Sequence, residues 1–277
     1  LPFENPVLLL SIDCLSLPAG AALMGILNVT PDSFSDGGRY LWIEDAVRQA
    51  HLMVDEGADL IDVGGESTRP GSESVTVEVE LKRIIPLIRQ LSREVSVPIS
   101  VDTSKPEVMK AAVEAGAAMI NDIWALRRPG ALEQARALDV PVCLMHMKGI
   151  PATMQQAPDY IDVVHEVKTF LQQRVDRCLA AGISSEKIVV DPGIGFGKRP
   201  EHNRRLIDEI GELQELGQPV LVGISRKSFL PSKVTGPDRD RLCAQYAAQA
   251  VVNGASLIRV HNVGMTAQFL KETRMAV

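Results

Sequence analysis

The chain has 277 residues, 45% of them hydrophobic and 4% aromatic, with a formal net charge of −6. That length accommodates one large domain or two ordinary ones, each with a sizeable core. The acidic balance and the scarcity of rings exclude nucleic acid or an acidic membrane surface as the main partner.

Residues 1–21 read as an N-terminal extension. "PVLLLSIDCLSLPAGAA" (6–22) is apolar, but it lacks a basic start and Asp13 interrupts it, which argues against a secretion signal. No run reaches the roughly 20 apolar residues of a membrane span. The four cysteines, Cys14, Cys143, Cys178 and Cys243, are scattered without a C-x-x-C pair, as expected for buried, reduced thiols in a cytoplasmic protein.

From residue 22 onward, short apolar runs alternate with longer amphipathic stretches. The runs are "ALMGILN" (22–28), "LIDVGGE" (60–66), "PISVD" (98–102), "MIND" (119–122), "PVCLMHM" (141–147), "KIVVD" (187–191), "PVLVGIS" (219–225) and "LIRVH" (257–261). Runs this short, without strict alternation, suit parallel strands covered on both faces. In the first helical stretch Ala46, Ala50, Met53 and Gly57 fall on one face. Gly57, Gly116, Gly182 and Gly254 stand where helices should stop, and Pro106 stands where one should start. The phrases "GADLID" (57–62), "GAAMIN" (116–121) and "GASLIR" (254–259) echo one another on even-numbered strands, which would give Asp62, Asn121 and Arg259 related positions. The same phrase also reads simply as a helix stop followed by a strand. Eight βα units without a linker predict a single (β/α)₈ TIM barrel rather than a doubly wound sheet.

Such a barrel places its chemistry at the C-terminal ends of its strands. Those ends carry Asn28, Asp62 with Glu66, Asp102, Asn121, His146, Asp191, Ser225 with Lys227, and Arg259 with His261. Asp102, Asn121 and Asp191 suit the amino and amide edges of a flat heterocycle. Ser67, Thr68, Arg69, Lys227, Arg259 and His261 suit phosphate oxygens. Each position taken alone also reads as a cap for the next helix, Asp102 ahead of "TSKPE" being the plainest case. A complete ring of them points to a ligand. No nucleophile–base pair is evident.

"VVDPGIGFGKRP" (189–200) offers a second reading, a phosphate loop. A Walker loop needs a hydroxyl after Gly197-Lys198, where Arg199 stands, and a glycine where Pro192 stands. The dinucleotide pattern needs a glycine at Lys198. Asp191, not the glycines, is therefore expected to carry the recognition, and the glycines to let the chain turn close to a flat ligand. Phe196 suits either the ring pocket or the core.

"GILNVTPDSFSDGG" (25–38) and "IDVGGESTRPG" (61–71) resemble the two signature stretches of the dihydropteroate synthase family. "VDTSKPEV", "INDI", "LMHMKGIPATMQ", "VVDPGIGFGK", "VGISRKSFL" and "IRVHNV" resemble its remaining blocks, in order, from about residue 22 to 263. The resemblance implies a (β/α)₈ barrel, commonly a homodimer, that joins p-aminobenzoate to 6-hydroxymethyl-7,8-dihydropterin diphosphate with Mg²⁺ and releases pyrophosphate. It further implies that Asp102, Asn121, Asp191 and Lys227 hold the pterin and Asn28 the magnesium. Thr68, Arg69, Arg259 and His261 would hold the diphosphate. Phe34, Pro70, Phe196 and Ser228 would flank p-aminobenzoate, and Asp102, Lys227, Arg259 and His261 would act in the reaction. The family usually carries Asp where Asn262 stands, a difference expected to touch only a contact behind His261. A methyltetrahydrofolate-dependent methyltransferase and a non-catalytic pterin binder are the rival readings. "ESTRPG" and "SRKSF" argue against the first, and the intact Asn28, Thr68, Arg69, Lys227, Arg259 and His261 against the second.

Overall fold

The computed structural model describes residues 21–29, 41–68, 71–72, 74–156, 158–227, 229–231 and 233–275. Its strands are β1 (Ala22–Asn28), β2 (Leu60–Gly64), β3 (Ile99–Asp102), β4 (Met119–Asp122), β5 (Val142–Met145), β6 (Ile188–Asp191), β7 (Leu221–Gly223) and β8 (Leu257–Val260). Each lies inside the run predicted for it. The runs overshoot by a few residues at β2, β5 and β7, where the chain leaves the sheet into polar loops. All pairings are parallel, in the order β6-β5-β4-β3-β2-β1-β8-β7. A bridge between Val190 and Val220, with the Val190 N–H bonded to the Pro219 carbonyl at 3.0 Å, brings the two ends together. The sheet is a barrel.

The helices between strands are α1 (Leu41–Asp55), α2 (Val77–Glu94), α3 (Pro106–Glu114), α4 (Ala131–Leu138), α5 (Val163–Ala180), α6 (Pro200–Asp208), the short α7 (Gly211–Gln214), α8 (Gly236–Val252) and α9 (Val263–Met275). Their punctuation follows the sequence. Pro106 opens α3, and the glycines at 57, 116, 182 and 254 follow helices with φ of 100, 114, 92 and 112°. Asp162 caps α5 by accepting the Val164 and His165 N–H groups. Ala46, Ala50 and Met53 are buried on the inner face of α1.

Two cores result from the pleat, because successive side chains on a strand point to opposite faces. The outward set, among them Ile61, Val63, Ile99, Val101 and Ile120, packs against the helices. The inward set is separate and small: Ala22, Met24, Leu60, Met119, Cys143, Val189, Leu221 and Leu257. The registers sort it into layers drawn from alternate strands. Leu60, Met119, Val189 and Leu257 form the floor, with Met24, Ser100, Cys143 and Leu221 above. The next layer up is Asp62, Asn121, Asp191 and Arg259. The echoing phrases thus do place Asp62, Asn121 and Arg259 at one level, and the barrel turns polar there.

Candidate active site

Burial governs the chemistry of that polar layer. Arg259 donates from Nε to Asp62 at 2.6 Å and from Nη2 to Asp102 at 2.7 Å, and Asn121 donates to Asp62 at 3.1 Å. Desolvation pushes the Asp102 carboxyl up to about 7, further than the Arg259 guanidinium pulls it down, and Asp62 beside it adds repulsion. Desolvation likewise raises Asp191, against the pull of the Gly193 N–H and Lys227. One guanidinium facing several carboxylates stays protonated, its pKa raised by Asp62 and Asp102 in spite of burial. Asp102, Asn121 and Asp191 line one pocket with Thr68, Ile123, Met145, Phe196, Lys227 and Arg259.

The capping alternative fails at Asp102 and Asn121 and holds only in part at Asp191. The residue that precedes α3 is Lys105, which makes no side-chain cap, and Asp102 faces Arg259 instead. Pleat alternation hands the capping task to the neighbour of Asn121. Asp122 points outward and accepts the N–H groups of Trp124 and Leu126, both at 2.8 Å. Asp191 does both jobs: Oδ1 accepts the Gly193 N–H at 2.6 Å while the residue lines the pocket.

The segment after Asp191 is one tight left-handed loop. Gly193, Gly195 and Gly197 have φ of 67, 82 and 62°. A Cβ on Gly193 would lie 1.9 Å from the His146 carbonyl oxygen, and one on Gly197 would lie 2.3 Å from that of Lys148. Only glycine passes so close to the loop that follows β5. Phe196 fills both of its expected roles: it lines the pocket and packs with Ile123, Met145, Met147 and Met154. Lys227 lies over its ring, Nζ 4.0 Å from the centroid, and desolvation lowers that ammonium to about 8.

The remaining described residues, Asn28 and His261, stand at the ends of β1 and β8 without lining that pocket. Asn28 Oδ1 and Asp102 Oδ2 come within 3.5 and 3.7 Å of the Cβ position at Gly64, so both face the same corner. His261 Nδ1 meets Ser225 Oγ at 3.0 Å. That contact does not make a nucleophile–base pair. Ser225 is buried, also takes the His261 backbone N–H at 3.3 Å, and is absent from the pocket wall, so it positions His261 rather than attacking a ligand. Asn262 caps α9 through the Met265 N–H and donates to Asp240 at 3.2 Å. An amide serves both partners there, whereas an aspartate would face the Asp240 carboxylate. Phe34, Arg69, Pro70 and Ser228 lie outside the described residues.

With the geometry in place, similarity to known proteins is informative. The model of the pterin binding enzyme family matches residues 24–261. The dihydropteroate synthase of Escherichia coli strain K12 is 49% identical over 251 residues, 90% of this chain and 89% of that protein. The chain belongs to the dihydropteroate synthase family. A Xanthomonas albilineans dihydropteroate synthase solved with 4-aminobenzoic acid superposes with a TM-score of 0.87 at 47% identity, covering 93% of each chain. The same enzyme in complex with 7,8-dihydropteroate gives 0.83 at 45% identity, covering 93% of this chain and 94% of that one.

Several residues that shape this dihydropteroate synthase-type site have no role assigned by the sequence, although Lys105 and Gln155 lie within its family-like blocks. Lys105 is buried and forms ion pairs with Glu66 and with Glu80 of α2, tethering the start of the loop after β2. Gln155 Nε2 donates to the Gly195 carbonyl at 2.6 Å, and the Tyr160 hydroxyl to that of Gly197 at 2.8 Å. Asn203 of α6 accepts the Gly195 N–H at 2.7 Å. His146, read from sequence as a strand-end polar group, stays out of the pocket wall and stacks edge-on against Phe170 at 4.9 Å. The one usable hint was Lys198: a lysine after three glycines that fits no nucleotide pattern needs another purpose.

Proposed function

We propose that the chain acts as a transferase that carries the 7,8-dihydropterin-6-ylmethyl group from its diphosphate to p-aminobenzoate, releasing pyrophosphate. The observation that carries this reading is the polar layer of Asp62, Asn121, Asp191 and Arg259, capped by Asp102 and Lys227 in one pocket. A flat ring with amino and amide edges matches it, and the related Xanthomonas albilineans structures hold 4-aminobenzoic acid and 7,8-dihydropteroate.

In this reading Asp191 and Asp102 accept from the ring's N–H groups, Asn121 both donates and accepts, and Lys227 donates to the ring. The C–O bond to diphosphate breaks ahead of C–N formation, in an SN1-like course. The positive charge that develops on the methylene spreads into the pterin, where Asp102 and Asp191 stabilise it. Arg259, His261, Thr68 and Arg69 take the departing charge, and Phe34, Pro70, Phe196 and Ser228 hold the arylamine flat. That amine is neutral near pH 7, so it attacks without a strong base and loses its proton to solvent.

Among the described residues no cluster of three or more His, Cys, Asp or Glu side chains could hold a metal. The single neutral oxygen of Asn28, beside Asp102, instead suits Mg²⁺ that arrives with the diphosphate. Bound there, the ion would neutralise leaving-group charge. The whole chain as one domain, a homodimer, and a cytoplasmic location belong to the same proposal. Among the described residues no helix is long and apolar enough to cross a membrane.

A pyrophosphate-release assay tests the reaction. Release should need both the pterin diphosphate and p-aminobenzoate, stop with a magnesium chelator and return with Mg²⁺. Release without the arylamine, or none at all, would overturn it in favour of a hydrolase or a non-catalytic binder.

The pocket also predicts a pH optimum for pterin binding. Ring N–H groups bind only the ionised Asp102, so affinity should fall as pH drops below about 7, where Asp102 takes up a proton. It should fall again above about 8, as Lys227 loses its ammonium proton. Calorimetry from pH 5.5 to 9 should give a bell with its maximum between these values, and Asp102→Asn should lose the acidic limb. A flat profile would count against both roles.

A further inference from the structure

Lys198 is buried, yet among the described residues no carboxylate makes an ion pair with it. Its Nζ donates to the carbonyl oxygens of Gly193 at 2.9 Å and Phe196 at 3.0 Å, and meets His146 Nδ1 at 2.9 Å. Three ammonium hydrogens thus find three acceptors, provided that His146 is neutral and carries its proton on Nε2. Desolvation, seconded by the Lys198 charge, holds His146 well below the usual imidazole range and so keeps it neutral. Burial without an ion-pair partner lowers the Lys198 ammonium to about 7, a cost that merely filling the loop would not require. A methionine would fill the same space more cheaply.

What the cation holds is the wall of the ligand pocket. Gly193 and Phe196 both line it, and Asp191, whose Oδ1 is tied to the Gly193 N–H, is the carboxylate that attracts the Lys198 charge. Two more carbonyls of the loop, those of Gly195 and Gly197, are latched by Gln155 and Tyr160, which belong to the segment after β5.

We propose that Lys198 is a positioning residue: its ammonium clips the 192–197 loop to the end of β5 and through that loop sets Asp191 against the pterin and Phe196 against the arylamine. The inference rests on the ligand assignments proposed above.

The test uses Lys198→Met, which keeps the stem and removes the charge, in the full chain. Pterin affinity by calorimetry and KM for p-aminobenzoate should both worsen by about tenfold or more while the protein stays folded by circular dichroism. A residue needed only for stability would lower Tm and leave both constants of the folded protein unchanged. Phe196→Ala supplies a double-mutant cycle. If Lys198 acts through Phe196, the pair together should raise KM for p-aminobenzoate little more than the worse single variant, and additive losses would overturn the proposal. Should Lys198→Met not fold, Tyr160→Phe and Gln155→Ala, which unlatch the same loop, should shift both constants in the same direction by about threefold. No shift in either would equally overturn it. A parent protein that binds no pterin would instead refute the ligand assignment, whereas a parent that binds pterin and a Lys198→Met protein that binds it equally well would refute the role of Lys198 alone.

Discussion

Asp191→Asn is expected to weaken pterin binding by about 100-fold or more and to leave the barrel folded. One carboxylate oxygen is already committed to the Gly193 N–H at 2.6 Å, so the other faces the pocket. An asparagine that keeps its oxygen on Gly193 turns its NH₂ toward the ring's own donors, setting donor against donor where a charged acceptor stood. The flipped amide presents an acceptor to the ring but loses the bond that begins the left-handed loop, and with it the placement of Phe196. Both choices cost a hydrogen bond to a charged group. The strand carries little risk, because Val189 and Val190 beneath it are fully buried and unchanged. Calorimetry with a pterin measures the effect, and an affinity within about threefold of the parent would sink the assignment.

Arg259→Ala is expected to destabilise the fold by about 3–5 kcal/mol as well as to impair ligand binding. Position at a strand end suggests a guanidinium free to meet diphosphate, so that pyrophosphate binding should suffer more than pterin binding. The structure revises this. Nε and Nη2 are engaged with Asp62 and Asp102, and Asp62 is wholly buried. Removing the cation strands two carboxylates in the barrel, so pterin and pyrophosphate affinities should fall together. The deficit should be larger at pH 8 than at pH 6. Without Arg259 the Asp102 carboxyl, already raised by burial, loses its main counter-charge and binds its proton more tightly folded than unfolded, so acid favours the folded state of the variant. Adding Asp62→Asn to Arg259→Ala should recover part of the lost Tm, since the amide can still accept from Asn121, while pyrophosphate affinity stays low. Parent-like stability of Arg259→Ala across pH would refute this account of the layer.

The elements were legible because their signals are local. Short Val/Ile/Leu runs, four of the eight preceded by a helix-stopping glycine, read as covered strands, and eight of them with helices between suit one closed barrel. Polar residues at the ends of those strands could be named for the same reason: the fold sends every strand end to one face. Asp102, Asn121, Asp191, Lys227 and Arg259 did meet in one pocket. The roles of the supporting cast were illegible, because Lys105, Gln155 and Tyr160, and Lys198 beyond its odd place after three glycines, act on partners whose proximity no spacing encodes.

What the order of residues settled was the alternation of strand and helix, the level at which the barrel turns polar, and the family to which the chain belongs. These follow from backbone periodicity and steric demands within a few residues. Which of two neighbouring acids points inward and which caps a turn, how far a carboxyl's proton affinity climbs, and where a buried ammonium finds its acceptors depended on packing between segments distant in the chain. Desolvation and hydrogen-bond geometry belong to the assembled interior, and they came into being only when the barrel closed.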